Sequence, residues 1–222
     1  MAFISAFDVI GPNMVGPSSS HTAGAVSIAL LTKKMISGKV KKVHFTLFGS
    51  FAKTYKGHGT DRALLGGIMG FNTDDLRIKD SFKIADREGI EYSFTADEKE
   101  TEVHPNTVDI DIENEEGKKL KVRGESLGGG KVRIVRINDV KVEFSGEYST
   151  LITIHDDKPG LVAHIAKCLS ECNVNIAFMR LFRSEKGATA HTIVESDEKI
   201  PQKVLDDIYS NPCVHDIMLV EV

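Results

Sequence analysis

Leu151-Ile152-Thr153-Ile154-His155-Asp156-Asp157-Lys158-Pro159-Gly160-Leu161-Val162-Ala163-His164-Ile165-Ala166-Lys167-Cys168-Leu169 reads as strand, turn and helix in one pass. Leu151 to His155 is a run of β-favouring residues. Lys158-Pro159-Gly160 breaks it and opens a helix from Leu161 to Glu171. Leu161, Ile165, Cys168 and Cys172 recur at helical spacing, so one side of that helix is apolar and both thiols read as small core residues. Further out, Asn175 to Arg183 predicts a strand, Lys186-Gly187 a turn, and Ala188 to Glu195 the partner strand. Pro201 starts a helix through Val204, Leu205 and Ile208, and Val214 to Val222 closes as a strand. The order β-α-β-β-α-β is the ferredoxin-like arrangement.

Upstream, the composition changes near residue 147, across the polar join Phe144-Ser145-Gly146-Glu147-Tyr148-Ser149-Thr150. The expected division is therefore a first domain over 1–147 and a second over 148–222, and the fold class is α+β. The first domain reads as mixed α/β. Ser19 or Ser20 caps a helix from Ala23 to Ser37, which Gly38 stops. Val40 to Phe48 alternates as a strand with Val43, Phe45 and Leu47 on one face. Gly49 to Gly59 reads as a glycine-rich loop, Thr60-Asp61 as the cap of a helix through Ile68, and Asp80 to Arg87 as a weaker helix. After Tyr92 the pattern turns to strands: Val108 to Ile112, Leu120 to Arg123, and a hairpin of Lys131 to Ile137 with Val140 to Phe144. These predict an antiparallel-rich sheet with helices packed on one side.

Bulk properties narrow the function classes. The chain has 222 residues, 41% hydrophobic and 27% charged, which suits a soluble globular protein. A formal charge of -4 gives no overall basic signal for nucleic acid or an anionic membrane. No apolar run approaches the ~20 residues of a membrane span. Met1 to Ile10 carries Asp8 and no basic segment, so a signal peptide is not expected and a cytoplasmic location is. The three cysteines, Cys168, Cys172 and Cys213, form no CxxC pair and no disulfide framework.

The chemistry-bearing motifs lie in the first domain. In Gly16-Pro17-Ser18-Ser19-Ser20-His21-Thr22, one serine suffices as a helix cap, which leaves an excess of hydroxyls. Free N–H groups at a helix start, with serine donors beside them, suit a carboxylate. In Gly57-His58-Gly59-Thr60-Asp61, glycines on both sides keep the His58 ring approachable, and a histidine accepts or returns a proton near neutral pH. In His104-Pro105-Asn106-Thr107, an extended backbone would point His104 and Asn106 the same way, while a turn entering the strand at Val108 is the favoured reading of the motif alone. In Ser126-Leu127-Gly128-Gly129-Gly130, three glycines mark a bend or a close approach. His21, His58 and His104 are ligand types for zinc, but no HExxH spacing is present, and no GxxxxGK[ST] phosphate loop or GxGxxG appears. In the second domain, Asp156-Asp157-Lys158-Pro159-Gly160 sits at a strand-to-helix turn where backbone amides admit a small ligand, with Asn173 and Asn175 at the far end of the helix.

Taken in order, GPSSSHT, GSFAKTYKGHGTD, HPNT and SLGGG resemble the β chain of the two-chain, iron–sulfur-dependent bacterial L-serine dehydratase (L-serine ammonia-lyase), and the tail resembles an ACT domain. The first domain also resembles the allosteric substrate-binding domain of some phosphoglycerate dehydrogenases. The dehydratase resemblance implies conversion of L-serine to pyruvate and ammonia, with a [4Fe–4S] cluster acting as Lewis acid on the hydroxyl. This chain lacks a cysteine set for a cubane, so the cluster would be ligated by a separate α chain and no metal by this one. The resemblance implies His58 as the base, and Ser18, Ser19, Ser20, His21, Thr22, His104, Asn106 and Ser126 as substrate-binding residues. For the second domain it implies self-association and a regulatory site at Asp157, Gly160 and Asn175, whose ligand stays open between serine, a monovalent cation such as K+, and none. The alternative is a non-catalytic subunit that senses serine or a related amino acid. The histidines separate the two, because a carboxylate binder needs hydroxyls and amides but no base.

Overall fold

The computed structural model describes residues 13–221. By their contacts these residues form two compact units, divided at Asn138-Asp139. The fold is α+β.

The first unit begins with one π-helical turn, Ser19–Ala23, continuing into helix α1, Gly24–Lys34. Strand β1, Val40–Phe48, leads directly into α2, Gly49–His58, and α3, Thr60–Ile68. A 3-10 turn, Leu76–Asp80, precedes α4, Ser81–Glu88. Strands β2 (Glu91–Asp97), β3 (Thr107–Asn114), β4 (Lys119–Gly128) and β5 (Lys131–Ile137) follow. They lie in the order β2-β1-β3-β4-β5. β1 pairs in parallel with β2, and the other pairs are antiparallel. Phe45, Ile110, Val122 and Ile137 stand opposite one another across four strands, and all four are fully buried. This row is the physical result of the period-2 alternation, since residues in register on neighbouring strands share a face. Helices α1 and α3 approach closely at Gly67, where an added Cβ would lie 2.5 Å from the Val26 carbonyl oxygen.

A buried charge pair fixes the end of β1. Arg123 on β4 donates from Nη2 to Asp109 Oδ2 on β3 at 2.9 Å, and its guanidinium lies over the Phe48 ring at 4.7 Å. Both charged residues are under a tenth exposed, so the pair is held by mutual hydrogen bonding rather than by water.

Two sequence expectations are corrected here. Gly49 to His58 is a helix and not a loop, because Phe51 and Ala52 are buried and a carbonyl from outside the helix takes up its first N–H groups. The first helix is capped by Ser18, not by Ser19 or Ser20, because the π turn adds a residue before α1 starts.

The second unit contains β6 (Val140–Phe144), β7 (Ser149–Asp156), α5 (Leu161–Glu171), β8 (Phe178–Arg183), β9 (Thr189–Ser196), α6 (Gln202–Tyr209) and β10 (Val214–Val220). From β7 onward the order is β-α-β-β-α-β, and the four strands lie as β10-β7-β9-β8, all antiparallel. This is the ferredoxin-like arrangement expected from the sequence. Its core joins Leu151 and Val194 of the sheet to Leu161, Ile165, Cys168 and Leu169 of α5 and Val204 and Ile208 of α6.

That sheet buries two histidines differently. His155 donates from Nδ1 to the Asp156 carbonyl at 2.7 Å, so its Nε2 accepts from the Thr192 hydroxyl at 2.8 Å. His191 is buried with neither ring nitrogen bonded, and desolvation, aided by His155, pushes its pKa down to about 4. The unfolded chain binds this proton near pH 6.5 and the folded chain does not, so stability falls as pH drops through that window. The loss between pH 7 and pH 5 is about 2 kcal/mol for this group. His191→Leu is expected to remove that part of the acid sensitivity; urea unfolding of both proteins at pH 7 and pH 5 measures it, and equal slopes against pH would contradict the assignment.

Candidate active site

The serine-rich segment is organised by its first hydroxyl. Ser18 has an extended backbone, and its Oγ accepts the His21 N–H at 3.1 Å. The N–H groups of Thr22 and Ala23 both end on the Ser18 carbonyl, at 2.8 and 3.3 Å. The π turn that results places Ser20 beside β4, where the buried Ser126 hydroxyl donates to the Ser20 carbonyl at 2.9 Å. Ser19 is half-buried, and its carbonyl accepts the Gly24 N–H. Thr22 is buried, and its hydroxyl donates to the His58 carbonyl at 3.2 Å.

Helix α2 supplies the second wall. Gly49 has φ of +55°, and a Cβ there would lie 2.6 Å from the Pro105 carbonyl oxygen. That carbonyl accepts the N–H groups of Ser50 at 2.6 Å and Phe51 at 3.3 Å. At its other end the helix stops at Gly59, left-handed at φ +67°, whose N–H returns to the Tyr55 carbonyl. His58 is thus the last helical residue. Its ring lies against that of His21, with centroids 4.8 Å apart and planes inclined at 38°. His21 is also met edge-on by Phe51 at 5.2 Å, and its Nε2 lies 3.0 Å from Ser50 Oγ.

The third group enters through the same Pro105 carbonyl. The chain turns at His104 to Asn106, as the motif taken alone favoured, so the two side chains are not set by an extended backbone, and His104 Nδ1 accepts the Asn106 N–H at 3.3 Å. The turn persists because Thr107 Oγ1 also donates to the His104 carbonyl at 2.7 Å. Asn106 and Ser126 exchange contacts, with Ser126 N–H to Asn106 O at 2.9 Å and Asn106 Nδ2 to Ser126 O at 3.4 Å. Asn106 Oδ1 remains buried with no donor, an acceptor that costs free energy unless a ligand satisfies it. The glycine triplet after Leu127 is left-handed throughout, with φ of 95°, 62° and 82°. All four sequence motifs of the first unit therefore meet in one contact network.

A cleft of about 490 Å³ opens beside His58. Lys56, Asp61, Arg62, Lys79, Thr22 and Gly16 lie along it. Burial raises the Asp61 carboxyl above its ordinary value, against the pull of Arg62 and Lys56. Burial lowers the His21 imidazole below its ordinary value, and the His58 ring adds to the effect. His21 therefore favours the neutral form at pH 7, beside a second histidine that can exchange a proton.

Sequence reasoning missed Ser50 and Asp61 as members of this group. The signal for Ser50 is the four-residue spacing of Ser50, Thr54 and His58, which is a stripe once the segment is read as a helix. The donor set does not fit an iron–sulfur cluster. Among the described residues no three His, Cys, Asp or Glu side chains converge, and the three cysteines lie in the second unit, Cys168 buried and Cys172 and Cys213 half-buried.

A sequence profile of the family "Serine dehydratase beta chain" matches residues 5–93. The chain is 39% identical over 212 residues to the "Probable L-serine dehydratase, beta chain" of Bacillus subtilis (strain 168), covering 96% of each. It is 42% identical over 204 residues to the "L-serine dehydratase, beta chain" of Peptoniphilus asaccharolyticus, covering 92% of each. The chain belongs to the serine dehydratase beta chain family. It is also 26% identical over 200 residues to the "D-3-phosphoglycerate dehydrogenase" of Methanocaldococcus jannaschii, covering 86% of this chain and 36% of that one.

The second unit of this serine dehydratase beta chain keeps Asn175 apart from the other two expected regulatory residues, Asp157 and Gly160. Gly160 caps the start of α5 at φ +92°. Asp157, beside it, accepts from Arg183 Nη1 and the Gly187 N–H, each at 2.9 Å. Asn175 follows the other end of the helix, and its N–H donates to Glu198 Oε2 at 3.1 Å. Eleven residues of helix separate the two ends by about 16 Å.

Gly49→Ala is expected to destabilise the first unit by about 1–3 kcal/mol, since the added methyl meets the Pro105 carbonyl at an unfavourable φ. A thermal melt that matches the parent protein would refute this account of the β1–α2 junction.

Proposed function

We propose that this chain is the β subunit of an L-serine ammonia-lyase, converting L-serine to pyruvate and ammonia together with an α chain that ligates a [4Fe–4S] cluster. The observation that carries the reading is the His21–His58 ring pair, with hydroxyls of Ser18 and Ser50 at the two nitrogens of His21.

His58 takes the Cα proton. The site suits that task because His21 is held toward neutrality, so no second imidazolium stands against His58 when it takes the proton. Ser18, Ser19, Ser20 and Thr22 stand around the turn that receives the substrate carboxylate, with His104, Asn106 and Ser126 as the opposite lining. Asn106 Oδ1 accepts from the substrate ammonium, which answers its missing donor. The cluster is assigned to the α chain, and no step at the substrate hydroxyl is assigned to the residues described here.

Residues 1–147 are proposed as the serine dehydratase β-type domain and 148–222 as an ACT domain that pairs with another copy. Asp157 and Gly160 of one copy would then form a regulatory site with Asn175 of the other, for serine or a monovalent cation such as K+. A cytoplasmic location accompanies this reading; among the described residues no helix is long and apolar enough to cross a membrane. The similarity to phosphoglycerate dehydrogenases supports a second reading, a sensing subunit without catalysis.

His58→Ala in the reconstituted αβ complex separates the two. Loss of a positioned base lowers kcat by about 10²–10⁴-fold, whereas unchanged turnover of L-serine would favour the sensing subunit. Asn106→Ala is expected to raise KM for L-serine by about tenfold or more, the scale of one lost charge-assisted hydrogen bond; an unaltered KM would remove the ammonium contact.

A further inference from the structure

We propose that Ser50 is a positioning residue for proton transfer, holding the His21 ring in one tautomer and one orientation against His58. The proposal rests on the reading of His58 as the base.

The hydrogen-bond arithmetic around His21 leads to it. Ser18 Oγ accepts the His21 main-chain N–H at 3.1 Å, and its hydroxyl proton is available to His21 Nδ1, at 3.5 Å. In the proposed arrangement Nδ1 is the lone-pair nitrogen, and the ring proton sits on Nε2. Nε2–H then donates to Ser50 Oγ, which lies 3.0 Å away. Ser50 is firmly placed because its own backbone is tied at both ends. Its N–H donates to the Pro105 carbonyl at 2.6 Å, and its carbonyl accepts the Thr54 hydroxyl at 2.8 Å. Phe51 closes an edge of the imidazole at 5.2 Å. With both nitrogens engaged and that edge blocked, the ring is held against His58, its centroid 4.8 Å away.

This matters for proton transfer because two imidazolium rings at that distance repel. His58 accepts a proton readily only while His21 stays neutral and in place. Without the Ser50 acceptor, the His21 ring is free to flip or to exchange tautomers, and its placement against His58 is lost. Ser50 acts through His21 and is given no contact with the substrate.

The test uses Ser50→Ala and Ser50→Thr in the full chain, with His58→Ala as control, each reconstituted with the α chain and assayed anaerobically. Ser50→Ala is expected to lower kcat by about 10-fold or more with KM within about twofold, and to displace the kcat pH profile. Ser50→Thr, which keeps the hydroxyl, restores kcat to within about threefold. In the ¹⁵N-histidine-labelled full chain, His21 is expected as the Nε2–H tautomer, turning to a mixture in Ser50→Ala and returning in Ser50→Thr. Thermal melts verify that the variants are folded. An unchanged His21 tautomer in folded Ser50→Ala would overturn the proposal, as would a change in KM alone, which marks a substrate contact instead. Full turnover in His58→Ala, with the tautomer still governed by Ser50, would remove the base reading and leave the holding of His21 standing.

Discussion

The first unit turns on one carbonyl. Pro105 O receives the N–H groups of Ser50 and Phe51, two of the donors that a helix start leaves without an internal partner. That carbonyl comes from the turn between β2 and β3, far along the chain from α2. It fixes where α2 begins, and therefore where both ends of α2 point. Side chains of Ser50, Thr54 and His58 recur every four residues, so they share one face of the helix. His21 lies along this face, touching Ser50 at one end and His58 at the other. Helical side chains lean toward the N-terminus, which lets His58 reach back along the stripe. The same turn presents Asn106 to Ser126, so the lining and the proton-handling pair share a single anchor.

Much of the scaffold was legible because its physics is local. The alternation of Val43, Phe45 and Leu47 identified β1, and the strand–turn–helix of Leu151 to Leu169 identified the ferredoxin-like half. Gly38 is left-handed as a stop residue should be, although α1 ends four residues earlier at Lys34. What failed was also local in appearance but tertiary in cause. Gly49 to His58 has the composition of a loop, and only Pro105 and the buried Phe51 make it a helix. The cap was misplaced for a similar reason. Three serines in a row offer three equal candidates, and the choice of Ser18 is made by a π turn that brings Ser20 to Ser126.

The motifs of the site were visible in the sequence, but their division of labour was not. Read singly, each hydroxyl and imidazole looked available for a ligand. The structure engages several of them internally: Thr22 with His58, Ser126 with Ser20, His104 with Asn106. Such bonds narrow the groups free to face a substrate and stiffen those that remain. Ser50 and Asp61 were passed over because neither residue type is distinctive. Their weight comes from position alone, the one against His21 and the other desolvated in the cleft beside His58.

The charge pattern of that cleft completes the physical argument. Lys56, Arg62 and Lys79 give the wall beside His58 a positive bias that Asp61 only partly offsets. A positive wall draws in a carboxylate, and it also opposes protonation of any base set within it. The arrangement eases this conflict by keeping the cations exposed, where water screens them, while the imidazole next to His58 is partly buried and shifted toward its neutral form. Attraction of the anion is thus assigned to the solvated rim, and acceptance of the proton to the ring pair inside it. Exchanging those placements, with a buried cation and an exposed second histidine, would retain every residue type in the motif and lose the base.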